Sequence, residues 1–312
     1  MLYNTYSDYL VRKYGERVYK LPVNLPITCP NRDGTKGIGG CSFCGEVGAA
    51  FENLPCTLSV SEQIEENMSF IGKKYKANKF IAYFQNFSNT YMPFGQFKNY
   101  INSAVKDNIV EIAVSTRPDC IRDDYMCFLS EVSEKSGINI SIELGLQTVN
   151  PHTLGKINRG HTLTEFIDAV SIIKKYGFDI CTHLILNLPW DNETDVIECA
   201  KILSALRIEQ VKLHSLYIVK GTPLAEEYIN NKFDMGTYMD YVNKVILFLE
   251  YLSPEIIIQR VIGRAKEEHT IFSNYGTSWW KIKDTIDAEM EKRKTFQGRL
   301  CNYLGGSALE KF

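Results

Sequence analysis

The sequence has little that would place it in a membrane or outside the cell. Its 312 residues contain no apolar run near the ~20 residues that a membrane-spanning helix requires. Residues 1–20 are polar and aromatic and lack the basic-then-apolar order of a secretion signal. The nine cysteines are an odd number and most are scattered, which disfavours a framework of disulfides. We therefore expect a cytoplasmic protein with no membrane partner.

An excess of positive charge is also absent. The formal net charge is −2 at pH 7, so any contact with nucleic acid would depend on a local basic patch. The chain has no low-complexity stretch, long linker or short-period repeat. Apolar residues make up 45% of it and charged residues 23%, a balance that supports a large hydrophobic core.

What the chain does contain is an alternation of apolar and amphipathic segments. Residues 161–176 and 237–252 predict helices, because their apolar side chains recur at three- and four-residue steps. Strands are predicted at 19–25, 79–85, 109–115, 138–144, 178–186 and 210–218. Six βα units are too few for a closed eight-stranded barrel and predict an α/β fold, a partial (β/α)6 TIM-type barrel. We place the barrel at 19–253, with an N-terminal extension at 1–18 and a C-terminal extension at 254–312 that packs on it.

Three of the cysteines cluster in a glycine-rich segment directly after the first predicted strand. Cys29, Cys41 and Cys44 form a C-x11-C-x2-C pattern, and the glycines between them let the chain wrap back on itself. Three thiolates on a four-iron cluster leave one iron open to an exogenous ligand, as S-adenosylmethionine (SAM) requires. Cys56 offers an alternative, because it extends the pattern to the four ligands of a zinc knuckle. Phe43 suits either a core position or stacking on an adenine.

A resemblance to a known family rests on strings that occur in a fixed order along almost the whole chain. They are CPNRDGTKGIGGCSFCG, AYFQNFSNTY, STRPDCI, ELGLQT, NRGHT, THLILNLP and KLHSLYIVKGTPL. Together they resemble the YhcC/YtqA (MnmL-like) branch of the radical SAM superfamily, which is related to the radical SAM domain of Elongator-type proteins. The SAM motifs are also similar to those of coproporphyrinogen oxidases. The resemblance implies a radical SAM iron–sulfur enzyme with two cofactors, a [4Fe–4S] cluster and S-adenosyl-L-methionine.

The resemblance further implies roles for individual residues. The three clustered cysteines would ligate the cluster, and the implied SAM contacts besides Phe43 are Gln85, Asn89, Thr90, Glu143, Gln147 and Arg159. The first three of these stand where many relatives carry a Gly-Gly-Glu tripeptide, from which this chain departs. Two alternatives stay open, because Glu143 also suits an ion pair at the core edge and Arg159 also suits the entry of a helix.

Polar side chains also recur at the ends of the later predicted strands. Arg117, His183, Lys212 and His214 are the candidate catalytic residues, with Asp119 and Asn187 beside them. Lys212 and His214 would point to the same face of their strand, because side chains alternate with a period of two. Each residue alone also suits a satisfied structural position. As a group they are unusual for apolar strands, so we interpret the group as facing the substrate.

The C-terminal third adds basic and aromatic residues. Those at 259–260, 263–264 and 279–281 could grip phosphate and stack on a base, whereas the run at 292–294 is more typical of a solvated helix face. The cysteines outside the cluster lack paired spacing and are interpreted as buried small apolar residues: Cys56, Cys120, Cys127, Cys181, Cys199 and Cys301.

The leading functional hypothesis is an enzyme that cleaves SAM reductively to a 5′-deoxyadenosyl radical. The resemblance implies a tRNA substrate, with 5-carboxymethylaminomethyluridine at the wobble position converted towards 5-aminomethyluridine. It also implies an electron donor such as flavodoxin or ferredoxin. One alternative is a radical SAM enzyme that acts on a small metabolite or a porphyrin-like substrate, and the other is a non-catalytic zinc-knuckle module.

Overall fold

The structure is a computed structural model that describes residues 2–45, 53–263 and 267–310. Within these ranges the chain forms strands β1 (Val18–Val23), β2 (Lys79–Phe84), β3 (Ile109–Thr116), β4 (Asn139–Gln147), β5 (Asp179–Ile185), β6 (Gln210–His214), β7 (Ile218–Val219), β8 (Ile257–Arg260) and β9 (Thr270–Phe272). It also forms helices α1 (Tyr6–Tyr14), α2 (Val60–Tyr75), α3 (Phe94–Ser103), α4 (Asp123–Ser136), α5 (Pro151–Lys156), α6 (Leu163–Lys174), α7 (Glu193–Ala205), α8 (Pro223–Ile229), α9 (Tyr238–Tyr251) and α10 (Trp279–Lys292). No helix in the described part of the chain is long and apolar enough to cross a membrane.

Seven of the strands form one sheet in the order β1-β2-β3-β4-β5-β6-β8, and the resolved pairings in it are parallel. The six strands predicted from the sequence are all present, so the α/β class is confirmed. The segment predicted as one strand at 210–218 is divided into β6 and β7, and β7 pairs antiparallel with β9 instead. The seventh strand, β8, lies beyond residue 253, in the segment that the sequence assigns to the C-terminal extension.

The chain divides into two compact units. The first, here called the cysteine unit, comprises residues 7–146 and 158–181 and contains β1 to β3, nearly all of β4 and the first residues of β5. Nearly every residue of β2 and β3 is buried on both faces, as expected of parallel strands covered by helices. Helices α2 and α6 begin with capping boxes, formed by Ser59 with Glu62 and by Thr162 with Glu165.

The second unit, here called the histidine unit, comprises residues 1–6, 147–157 and 182–312. It contains the last residues of β5, the strands β6 to β9, and helices α5 and α7 to α10. Helix α9 starts at a capping box of Thr237 and Asp240 and buries Tyr241 and Phe248. Residues 2–6 run beside β8, where the amide of Ile258 donates to the carbonyl of residue 4 over 2.8 Å.

Candidate functional site

The cysteine loop, residues 29–44, follows β1 in the cysteine unit. Cys29 and Cys41 are buried and Cys44 is partly exposed. A turn joins the last two, since the amide of Cys44 donates to the carbonyl of Cys41 over 2.9 Å. Burial, followed by the charge of Cys41, raises the pKa of the Cys44 thiol to about 11. Metal binding would lower that pKa, because a thiol gives up its proton when it becomes a ligand.

Asn31 fixes the middle of the loop. Its side-chain amide donates to the carbonyl of Asn158 over 2.6 Å and lies 3.7 Å from the sulfur of Cys41. A Cβ atom on Gly37 or on Gly160 would lie 2.5 Å from the Oδ1 of Asn31, and Gly160 has a φ of +70°. Glycine is therefore needed at both positions for the loop to close around Asn31.

Two buried arginines point at the sulfurs of the loop. The Nη1 of Arg159 lies 3.4 Å from the Sγ of Cys41, and its Nη2 donates to the carbonyl of Gly145 over 2.6 Å. The Nη1 of Arg117 lies 3.9 Å from the Sγ of Cys29, while its Nε and Nη2 pair with Asp119 at 2.8 and 3.0 Å. N–H groups directed at sulfur stabilise thiolate charge, and hydrogen bonds to the sulfurs help set the potential of an iron–sulfur cluster.

His161 lies beside these arginines as a neutral side chain. Its Nε2 is 3.0 Å from the carbonyl oxygen of Gly145, which Arg159 also contacts. Burial, followed by the charges of Arg159 and Arg117, lowers the pKa of His161 to about 3. Sequence reasoning assigned no role to His161, although it occurs in the NRGHT string.

Asn89, after β2, combines a structural amide with an unsatisfied oxygen. Its Nδ2 donates to three backbone carbonyls at 2.8 to 3.0 Å, whereas its buried Oδ1 has no hydrogen-bond partner in the described ranges. The neighbouring Thr90 differs, because its hydroxyl bonds both the Thr116 hydroxyl at 2.7 Å and the Cys120 carbonyl at 2.6 Å. Asn89 thus presents an acceptor, and Thr90 holds the loop in place. Gln85 is partly exposed just after the last residue of β2.

Glu143, on β4, is fully buried and takes part in an ion pair with Lys20 on β1. Its other oxygen accepts a hydrogen bond from the hydroxyl of Tyr83 over 2.7 Å. Burial and then the charge of Glu143 raise the pKa of Tyr83. The ion pair that the sequence left open for Glu143 is therefore present. Sequence reasoning missed Lys20, whose only signal is a lone cation between apolar residues of a strand.

The remaining predicted polar residues lie in the histidine unit. The Nε2 of His214, on β6, is 3.3 Å from the Nδ1 of His183, on β5. A nitrogen of Arg260, on β8, donates to the Nδ1 of His214 over 2.7 Å. Lys212 is buried on β6, and its register partner is Arg260. The sequence named Arg260 only among basic residues near aromatics, so its place beside the histidines is new.

Two further predicted residues, Gln147 and Asn187, are distinguished by a backbone conformation and by side-chain hydrogen bonds, respectively. Gln147 has a φ of +77°, an uncommon conformation for a residue other than glycine. Asn187 accepts from the amide of Leu216 over 2.6 Å and donates to the hydroxyl of Tyr275 over 2.9 Å. Asn187 therefore joins the segments that follow β5 and β6.

The cysteines outside the loop only partly match the prediction that they are buried. Cys181 and Cys199 are buried as predicted, but Cys56 and Cys127 are exposed. Phe43 is partly exposed between two of the loop cysteines. The run at 292–294 begins at the end of α10, where Lys292 and Arg293 pair with a glutamate one turn earlier, as a solvated helix face would. Residue 264 lies outside the described residues.

Comparison with known proteins identifies the class to which this fold and this loop belong. The family model described as "Radical SAM superfamily" matches residues 29–203, and the one described as "Radical_SAM C-terminal domain" matches residues 208–292. The chain belongs to the radical SAM superfamily and is a radical SAM enzyme, and this family uses a [4Fe–4S] cluster and SAM. The zinc-knuckle alternative is therefore not supported.

Individual proteins are similar to this chain over most of its length. Protein YtqA of Bacillus subtilis (strain 168) is 34% identical over 303 residues, which cover 97% of this chain and 94% of YtqA. Protein YhcC of Escherichia coli (strain K12) is 31% identical over 266 residues, covering 85% of this chain and 84% of YhcC. The structure of the archaeal Methanocaldococcus infernus Elp3 is 15% identical with a TM-score of 0.68, covering 90% of this chain and 64% of that one. This likeness confirms the predicted fold.

Proposed function

We propose that this enzyme holds its [4Fe–4S] cluster on Cys29, Cys41 and Cys44. The observation that carries the proposal is the folded cysteine loop, in which two sulfurs face the guanidinium groups of Arg117 and Arg159. Thiolates are the usual ligands of iron–sulfur clusters, and the arginines offset the negative charge of a buried site. When bound, the cluster and SAM supply a 5′-deoxyadenosyl radical and together accept two electrons.

The proposed SAM contacts follow from the groups that the protein leaves available. Arg159 has a buried Nε without a hydrogen-bond partner in the described residues, so its guanidinium can pair with the SAM carboxylate. Asn89 offers its Oδ1 to the SAM ammonium, since nothing described occupies that acceptor. We assign Phe43 to the adenine and Gln147 to the ribose hydroxyls, as the family resemblance implies.

Three other residues belong to the predicted SAM contacts, and we assign Thr90 among them an indirect, positioning role. Glu143 is oriented by Lys20 and Tyr83, which contact its two carboxylate oxygens in the middle of β4. Thr90 positions the loop that carries Asn89, because its hydroxyl is already used by two neighbours. Gln85 directly follows β2 and remains a candidate for the SAM amino group.

For the substrate we propose the wobble uridine of tRNA, with the 5-carboxymethylaminomethyl side chain converted to the 5-aminomethyl form. Support comes from the resemblance to the YhcC/YtqA branch and from the likeness to Elp3 over 90% of this chain. Release of the two-carbon unit as glyoxylate, with addition of water, is a two-electron oxidation. It balances the two electrons that SAM and the cluster accept. His183, Lys212 and His214 would contact the substrate, and a flavodoxin or ferredoxin would supply the first electron.

Deletion of the gene, followed by mass spectrometry of tRNA nucleosides, tests the substrate. We expect 5-carboxymethylaminomethyluridine to accumulate and the 5-aminomethyl form to disappear. The wild-type gene should restore the profile, and a gene encoding Cys44→Ser should not. An unchanged wobble-uridine profile would remove this substrate. It would favour the small-molecule alternative, in which the purified enzyme consumes SAM without RNA.

A further inference from the structure

An extra residue in β8 changes the direction of Arg260. Val211 pairs with Ile258, but the next residue of β6, Lys212, pairs with Arg260, so Gln259 is inserted as a bulge. Strict alternation would place Arg260 on the face of Ile258 and Val211. The bulge instead turns Arg260 towards the face of Lys212 and His214, as its 2.7 Å contact with His214 shows.

The hydrogen bonds around Arg260 run in one direction. A guanidinium can only donate, so the imidazole of His214 must accept, and the Nη2 of Arg260 lies 2.7 Å from its Nδ1 and 3.1 Å from its Nε2. The Nε2 of His214 also lies 3.3 Å from the Nδ1 of His183. Lys212 adds a positive charge on the same face of the sheet. Arg260 thus has a neutral acceptor and a second cation beside it, and the described residues give its guanidinium no carboxylate partner.

Two buried donors at this place have no hydrogen-bond partner among the described residues, the Nε of Arg260 and the hydroxyl of Tyr217. Gly263 packs against both, since a Cβ on it would lie 2.0 Å from the Tyr217 hydroxyl and 3.4 Å from the Nη2 of Arg260. Buried donors without partners cost free energy, so such a pair in a native protein calls for a ligand or water that satisfies it.

We infer that Arg260 and Tyr217 form a subsite for an anionic oxygen group of the substrate. A guanidinium pairs with carboxylate and phosphate through two parallel hydrogen bonds, and the ends of parallel strands are where enzymes of this architecture place their chemistry. This inference rests on the proposed function, under which two sources of such a group exist. One is the carboxylate of the 5-carboxymethylaminomethyl side chain, and the other is a phosphate of the RNA.

Binding of three anticodon stem-loops to the cluster- and SAM-loaded enzyme, measured anaerobically by fluorescence anisotropy, tests the subsite. The stem-loops carry 5-carboxymethylaminomethyluridine, 5-aminomethyluridine or unmodified uridine at the wobble position. If the carboxylate is the ligand, the wild-type enzyme should bind the first about 10-fold or more tightly than the second, and Arg260→Gln should abolish that preference. If a phosphate is the ligand, Arg260→Gln should weaken all three by a similar factor.

Controls separate the subsite from the fold and from the proposed function. Arg293→Gln changes an exposed arginine of the same unit and should bind like the wild type. Tyr217→Phe removes only the hydroxyl and should weaken binding in the same pattern. It provides the test if Arg260→Gln fails to fold. Wild-type affinities for all three stem-loops in both subsite variants would overturn the inference while leaving the tRNA substrate intact. A wild-type enzyme that binds none of them, with unchanged tRNA in the deletion strain, would remove both.

Discussion

Single side chains around the cysteine loop each restrain more than one segment of the chain. Arg159 contacts a sulfur and the backbone of β4, and Arg117 contacts a sulfur and Asp119. Asn31 joins the loop to the segment before α6. Substitution at one of these residues should therefore affect both the loop and its neighbour, whereas an exposed cysteine can be changed without such effects.

Replacement of one loop cysteine should abolish the cluster. In Cys44→Ser a hard oxygen donor replaces a soft thiolate, so we expect anaerobic reconstitution to load far less than the about four irons of a complete cluster, with no SAM cleavage. Cys56→Ser is the matched control, because Cys56 is exposed and should be dispensable. Iron and sulfide assays on both reconstituted variants measure how much cluster each one holds. Full loading of Cys44→Ser, or loss of iron from Cys56→Ser, would contradict the ligand assignment.

His161 should make stability depend on pH. Its pKa is about 3 in the folded protein, against about 6.5 in an unfolded chain. Between these values the unfolded chain binds a proton that the folded one does not, so stability falls as pH is lowered through this window. We expect urea unfolding of the metal-free protein to show a loss of about 2 kcal/mol from this residue between pH 7 and pH 5. The loss should shrink in His161→Gln, and an equal loss in both proteins would refute the prediction.

At the scale of the loop and its neighbouring turns, glycine should matter most where another side chain fills the space. Gly160 and Gly177 have similar φ angles, +70° and +67°, so alanine would introduce a comparable strain of ~1–2 kcal/mol at each. Only at Gly160 would the new methyl group meet Asn31, and no atom of the described residues lies within 4 Å of the corresponding position at Gly177. We expect Gly160→Ala to unfold at lower urea than Gly177→Ala and to bind less iron. Equal urea midpoints with equal iron would show that the contact is unimportant.

The sequence predicted long apolar elements well and short ones poorly. Strands such as β2 and β3 are mostly apolar over six and eight residues, so the sequence alone indicates them. Strand β8 has only four residues, two of them polar, and no period of two survives its bulge. The same bulge explains why the contact between Arg260 and His214 could not be predicted, because it depends on a register that only the folded sheet reveals.

For the whole site, the sequence predicted the cysteines from local spacing and the family from the order of its strings. It did not predict the partners that the fold brings in from a distance, such as Lys20 for Glu143, 123 residues away. Such pairs depend on the order of the strands in the folded sheet, and single residues in the sequence do not indicate that order. The predicted roles of the SAM-binding and substrate-binding residues stay predictions until the tests above are made.

The stability of the histidine unit as a whole should depend on Gln297, which joins three distant segments. Its Nε2 donates to the carbonyls of Ser253 and Ile256 at 2.7 and 2.8 Å, and its Oε1 accepts from the amide of Asn4 over 2.9 Å. Gln297→Ala would leave one buried and two part-buried backbone groups without this partner, so we expect a loss of about 2–4 kcal/mol in the free energy of unfolding. Gln96→Ala, at an exposed position, should cost under about 0.5 kcal/mol. A similar small cost for both, in urea unfolding, would contradict this role.

The distance along the chain between Cys41 and Arg159 has a consequence for biosynthesis. The ribosome makes Cys41 118 residues before Arg159, an interval of roughly 6 to 24 s at 5–20 residues per second. During that interval the nascent loop has thiols but not the guanidinium group that faces one of them. The complete site therefore forms only after translation has passed Arg159, so we expect the loop to bind iron stably after this segment has been synthesised.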